Sequence, residues 1–67
     1  MWTIKHNMTS GNVALDTAKN EREARRKAAA MLGVATLRGL VQTPTERGTL
    51  VMAPGASEDG ESVEMYR

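Results

Sequence analysis

The chain has no cysteine and no phenylalanine, and only one tryptophan, one tyrosine, one histidine and two prolines among 67 residues. Each shortage excludes something. Without cysteine there is no disulfide to hold together so small a fold and no thiol nucleophile. His6 has no second residue at ligand spacing, so no metal site is expected. With so few aromatics the core must come from Val, Leu, Ile, Ala and the five methionines. Methionine specifies packing poorly but adapts well to a partner surface. Trp2 and Tyr66 are too far apart in sequence to read as a base-stacking platform. No apolar run approaches the ~20 residues of a membrane span, and the opening MWTIKHN lacks the charged start and apolar centre of a secretion leader. No membrane association is expected, and the lack of cysteine fits a reducing, cytoplasmic setting.

Catalytic groups are equally scarce. A general base needs a second group to position it, and His6 has none in sequence; it reads as a sheet residue with one hydrogen bond. Ser10, Ser57 and Ser62 lie in or beside turns, with no G-x-S-x-G setting. Gly55 to Gly60 lacks the Gly-Lys-Ser/Thr ending of a phosphate loop, and Glu58 and Asp59 would repel phosphate. The spacing of Glu58, Asp59, Glu61 and Glu64 misses the EF-hand pattern. No enzyme activity and no cofactor are expected.

What is present is one strongly marked helix, NEREARRKAAAML, from Asn20 to Leu32. Asn20 can cap it, Glu23 stands three residues later as in a capping box, and Gly33 supplies the stop. Glu21 precedes Arg25 by four, and Glu23 precedes Lys27 by four, both in the favourable orientation. At 100° per residue Ala24, Ala28, Met31 and Leu32 share one flank, which must meet a core. Arg22, Arg25, Arg26 and Ala29 share another. The net charge is only +1, yet Lys19 to Lys27 carries five basic and two acidic residues, while Glu58 to Glu64 carries four acidic and no basic ones. Any attraction to a charged partner must come from this local asymmetry rather than from the whole chain.

The rest of the chain reads as strands and turns. Trp2, Ile4, His6 and Met8 alternate with Thr3, Lys5 and Asn7, which predicts a strand. Thr9 to Asn12 is a turn cluster, and Val13 and Leu15 suggest a second strand, completing a hairpin; the alternative is that Val13 to Ala18 is already the first turn of the helix, capped at Asn12. Trp2, the largest apolar side chain, is expected to bury against the helix through Ala24, Ala28 or Met31. Val34 to Gln42 fits either a short second helix, through Leu37, Leu40 and Val41, or a strand; Gly39 weakens both. Thr43 to Gly48 reads as a loop. Thr49 to Ala53 lacks clean alternation and is expected in the centre of a sheet, buried on both faces. Ser62 to Tyr66 alternates again and is expected to pair antiparallel with it.

The 28–41 string AAAMLGVATLRGLV resembles the helix-turn-helix pattern of small DNA-binding regulators and phage excisionases. The match lies in Ala29 four residues before Gly33, in the Leu32-Gly33-Val34 turn, and in Ala35-Thr36-Leu37-Arg38 opening a second helix. The resemblance implies base or phosphate contacts from Thr36 and Arg38, with residues 48–66 as a wing-like hairpin. In size and style the whole chain also resembles the small accessory proteins of bacteriophages.

These readings converge on a single domain spanning residues 1–67. The fold class is α+β: a small antiparallel sheet, ββαββ-like, with one main helix packed on one face. A domain of this size buries only about 60% of its unfolded surface, so self-association into a homodimer is expected. The expected function is that of a small non-enzymatic accessory protein contacting a macromolecule, protein or nucleic acid. The candidate contact residues are Lys19, Arg22, Arg25, Arg26 and Arg38. The alternative is an excisionase-like DNA-binding regulator.

Overall fold

The computed structural model describes residues 1–35, 37–56 and 60–67. The expectations for Thr36 as a nucleic-acid contact and for Ser57, Glu58 and Asp59 in the acidic loop lie outside the described residues. Among the described residues, five strands, one α-helix and one turn of 3-10 helix follow in the order β1 (Trp2–Asn7), β2 (Val13–Ala18), α1 (Glu21–Leu32), the 3-10 turn Leu37–Gly39, β3 (Val41–Pro44), β4 (Gly48–Met52) and β5 (Ser62–Tyr66). The strands form one sheet in the order β2-β1-β5-β4-β3, and every neighbouring pair is antiparallel. The last strand enters between the two hairpins and joins them. The α+β class, with one helix on one face of an antiparallel sheet, is thus the observed fold.

The helix forms where its local signals place it. Asn20 is extended, and its side-chain oxygen accepts from the Glu23 backbone N–H at 2.9 Å. Glu23 Oε2 in turn accepts from the backbone N–H of Lys19, at 3.4 Å, one residue before the cap. The helix stops in a Schellman arrangement. Val34 N–H donates to Ala29 O, Gly33 N–H donates to Ala30 O, and Gly33 takes φ 70°, a conformation open to glycine at little cost.

Alternation sets the two faces of the sheet. Ile4, His6, Ala18, Val51, Val63 and Met65 are buried on the face that the helix covers with Ala24, Ala28 and Ala29. Alanine at these positions lets the helix backbone approach the strands closely. Each fully buried aliphatic side chain there, such as Ile4, is worth about 1.5–3 kcal/mol. Trp2, Met31, Leu32 and Val34 pack around this core while remaining partly exposed. Trp2 therefore joins the helix-facing layer as expected, but at its margin. The Arg67 guanidinium lies 5.2 Å from the centroid of its ring.

The middle of the chain departs from expectation in three ways. First, the ambiguous 34–42 stretch contains a single 3-10 turn and then enters β3, so the sheet has five strands rather than four. Thr43 and Pro44, read as loop, belong to that strand, whose four residues are all exposed. Proline is tolerated because β3 is an edge, where a missing N–H breaks no ladder. Second, β4 is not the central strand; β5 is. The apolar run of β4 does not reflect two buried faces. Val51 is buried under the helix, while Leu50 and Met52 are only partly covered on the opposite face. Third, the second helix of the helix-turn-helix string does not form among the described residues. Leu37 to Gly39 make one 3-10 turn that has no buried residue.

Candidate cationic face of the helix

The helix positions its charged side chains in three groups. On the flank toward β2, Lys27 is fully engaged. Its Nζ donates to the backbone oxygen of Thr17 at 2.6 Å and lies 3.6 Å from both Asp16 and Glu23 carboxylates. On the opposite flank Arg25 turns down toward the sheet edge. Its Nη2 donates to Glu21 Oε1, one turn back, and its Nε donates to Gln42 Oε1 of β3 at 2.9 Å. Arg25 thereby ties the helix to the last strand of the sheet. Between these flanks, pointing away from the sheet, stand Arg22 and Arg26, both exposed.

Among the described residues neither Arg22 nor Arg26 makes an ion pair or a side-chain hydrogen bond. The same holds for the side chains of Lys19, just before the helix, and Arg38, on the 3-10 turn beyond its end; both are exposed. Arg22 and Arg26 are one helical turn apart and so neighbours on the surface. The expected stripe of three arginines is thus reduced to Arg22 and Arg26 on the outer face of the helix, with Lys19 exposed before its start and Arg38 exposed on the 3-10 turn after its end. Arg25 leaves the stripe because Glu21 and Gln42 hold it. Ala29, grouped with the arginines by angle, is buried instead, since the covered arc extends to the side where the 3-10 turn and β3 lie.

Three features escaped sequence reasoning. His6 is 8% exposed, and its Nε2–H donates to Glu61 Oε2 at 2.6 Å. The pair spans 55 positions in sequence, and no local signal announces it. It satisfies the one buried polar side chain among the described residues, which matches the reading of His6 as a hydrogen-bonded sheet residue. Arg47 stacks over the Tyr66 ring, 4.1 Å from its centroid. Finally, among the described residues the sheet face away from the helix carries no covering element. Lys5 and Glu64 sit near its middle, 3.6 Å apart, with exposed Val13 and Leu15 at one edge and Val41 at the other.

The described residues enclose no pocket and bring together no group of acidic or histidine side chains able to hold a metal ion. No helix among them is long and apolar enough to cross a membrane. No protein-family model matches the chain, and neither a curated protein sequence nor a solved structure is significantly similar to it.

Proposed function

We propose that this protein is a small non-enzymatic accessory protein that acts as a homodimer in the cytoplasm and holds an anionic macromolecule against a ridge of Arg22 and Arg26, with Lys19 exposed before the helix begins. The observation that carries this reading is the asymmetry of the helix. Its inward cations, Arg25 and Lys27, are both neutralised by carboxylates, whereas the outward ones have no counter-charge among the described residues. Guanidinium groups one turn apart can each offer paired N–H donors to a phosphate or carboxylate. A ridge on a convex surface suits contact with another surface better than capture of a small molecule.

Binding of a random-sequence DNA duplex and of poly-glutamate, each titrated with salt, tests the reading. A phosphate-bearing partner predicts duplex binding whose affinity falls steeply with salt. Replacing both Arg22 and Arg26 with Gln should flatten that slope by about one unit per lost contact. An acidic protein partner predicts the effect on poly-glutamate instead, mainly as a slower on-rate. If the double variant binds both probes as the wild type does at low salt, the ridge is only a solvated helix face. The excisionase-like alternative needs a recognition helix where this chain has a 3-10 turn and a strand, so it predicts a sequence preference that the random duplex would not satisfy.

A further inference from the structure

The two edges of the sheet are not equally closed. The β3 edge is four residues long, carries Pro44, and has the Gln42 side chain held by Arg25. Short length and proline both discourage strand addition. The β2 edge is six residues long. Three hydrogen bonds show which of its residues face outward. Asn12 O accepts from Met8 N–H across the hairpin, so even-numbered residues face β1. Thr17, by contrast, has its N–H on Asp16 Oδ1 and its O on Lys27 Nζ, both outside the ladder. Odd-numbered residues therefore point their backbone groups away from the sheet. Thr17 is closed by these two side chains, and Val13 and Leu15 are left as the open part of the edge. Their side chains lie on the uncovered sheet face, and the two residues are 52% and 68% exposed.

We propose that two copies of this chain join through this segment, β2 pairing antiparallel with β2 about a twofold axis at Ala14, so that Val13 of each copy lies opposite Leu15 of the other. Such an interface is self-complementary, as a twofold requires. It makes two apolar cross-strand pairs on the same face. Asn12 of each copy falls opposite Asp16 of its partner, a donor amide against a carboxylate, and no like charges meet. The neighbouring registers are poorer. Leu15 opposite Leu15 would set Val13 against Thr17, whose backbone groups are already taken. Val13 opposite Val13 would set Leu15 against Gly11. The product is a continuous ten-stranded sheet with both helices on one side, so both cationic ridges face the same way. This interface deepens the homodimer reading above and rests on it. So short a pairing falls below the ~1,000 Å² of a permanent interface, and the association is correspondingly weak.

Sedimentation of the full chain, from about 10 μM to about 1 mM, tests the interface in the range such weak contacts occupy. The wild type should pass from monomer to dimer. Val13→Glu and Leu15→Lys, at exposed positions, should each fold and each weaken dimerisation at least about tenfold, one factor of ten being about 1.4 kcal/mol. Mixed in equal amounts they should recover a dimer, because only the Val13–Leu15 register places the new glutamate opposite the new lysine. A wild type that stays monomeric at the highest concentration overturns the interface and the homodimer reading together. A wild type that dimerises while both variants do so equally well overturns only the interface. Weakened variants that fail to recover on mixing overturn the register. None of these outcomes bears on the ridge, which is read by anion binding.

Discussion

Arg25 and Arg26 are neighbours of the same type on the same helix, yet they end in different places. Arg25 is half-buried, paired with Glu21 and bonded to Gln42 of β3; Arg26 is exposed and, among the described residues, unpaired. The 100° between them separates the flank that reaches the sheet edge from the crest that faces solvent. Ala28, two residues on from Arg26 and so about 160° around the helix from it, is fully buried. An arginine on this helix is structural or available according to what the sheet offers beneath it, and not according to its type or to the density of charge around it.

The sharpest way to break the comparison is to place a cation on the wrong flank. Ala28→Lys would bury an unpaired charge in the core between the helix and the sheet, where Ala28 is fully buried. An uncompensated buried charge costs about 3–5 kcal/mol, enough to unfold a domain of this size. Circular dichroism should show loss of the cooperative melt; a variant that melts as the wild type does would mean that the alanine flank is not packed on the sheet.

Arg25→Ala should have the next largest effect. It removes one side-chain hydrogen bond to β3 and one i,i+4 pair, together about 1 kcal/mol. In a domain this small that lowers the melting temperature by roughly 4–8 °C. The loss should shrink markedly when Gln42 is already Ala, since the two residues share the bond. Additive losses in that cycle would show that Arg25 stabilises the helix alone and does not tie it to the strand.

The smallest effect on stability belongs to the ridge. Replacing Arg22 and Arg26 with Gln together should leave the melt within about 0.5 kcal/mol per site of the wild type, while changing the salt dependence of anion binding. A large stability loss from this pair would show that the crest, like the flank of Arg25, has a structural partner.

Much of this was legible in the sequence because the signals are local. Asn20, Glu23 and Gly33 mark the helix ends through bonds spanning three to five residues, and the alternation of Trp2, Ile4 and His6 shows which face of β1 is apolar. The 34–48 stretch was not legible. Leu37, Leu40 and Val41 fit a helical face as well as a strand, and the choice is made by β4, which offers partners for Val41 to Pro44. The apolar run of β4 was misread for the same reason, because one open sheet face can carry apolar residues without being a core. Of the site, sequence identified the helix and its cations but could not single out Arg25, whose partner Gln42 lies 17 positions away.

The sequence by itself therefore determined the helix α1, its limits, the alternation of β1 and the class of fold, since these rest on hydrogen bonds and periodicities within a few residues. Only the tertiary structure decided that β5 would enter between the hairpins, that His6 would meet Glu61, and which arginines would remain free. Those outcomes depend on groups far apart in the chain, and a contact between distant residues leaves no pattern in either segment until the sheet has brought them together.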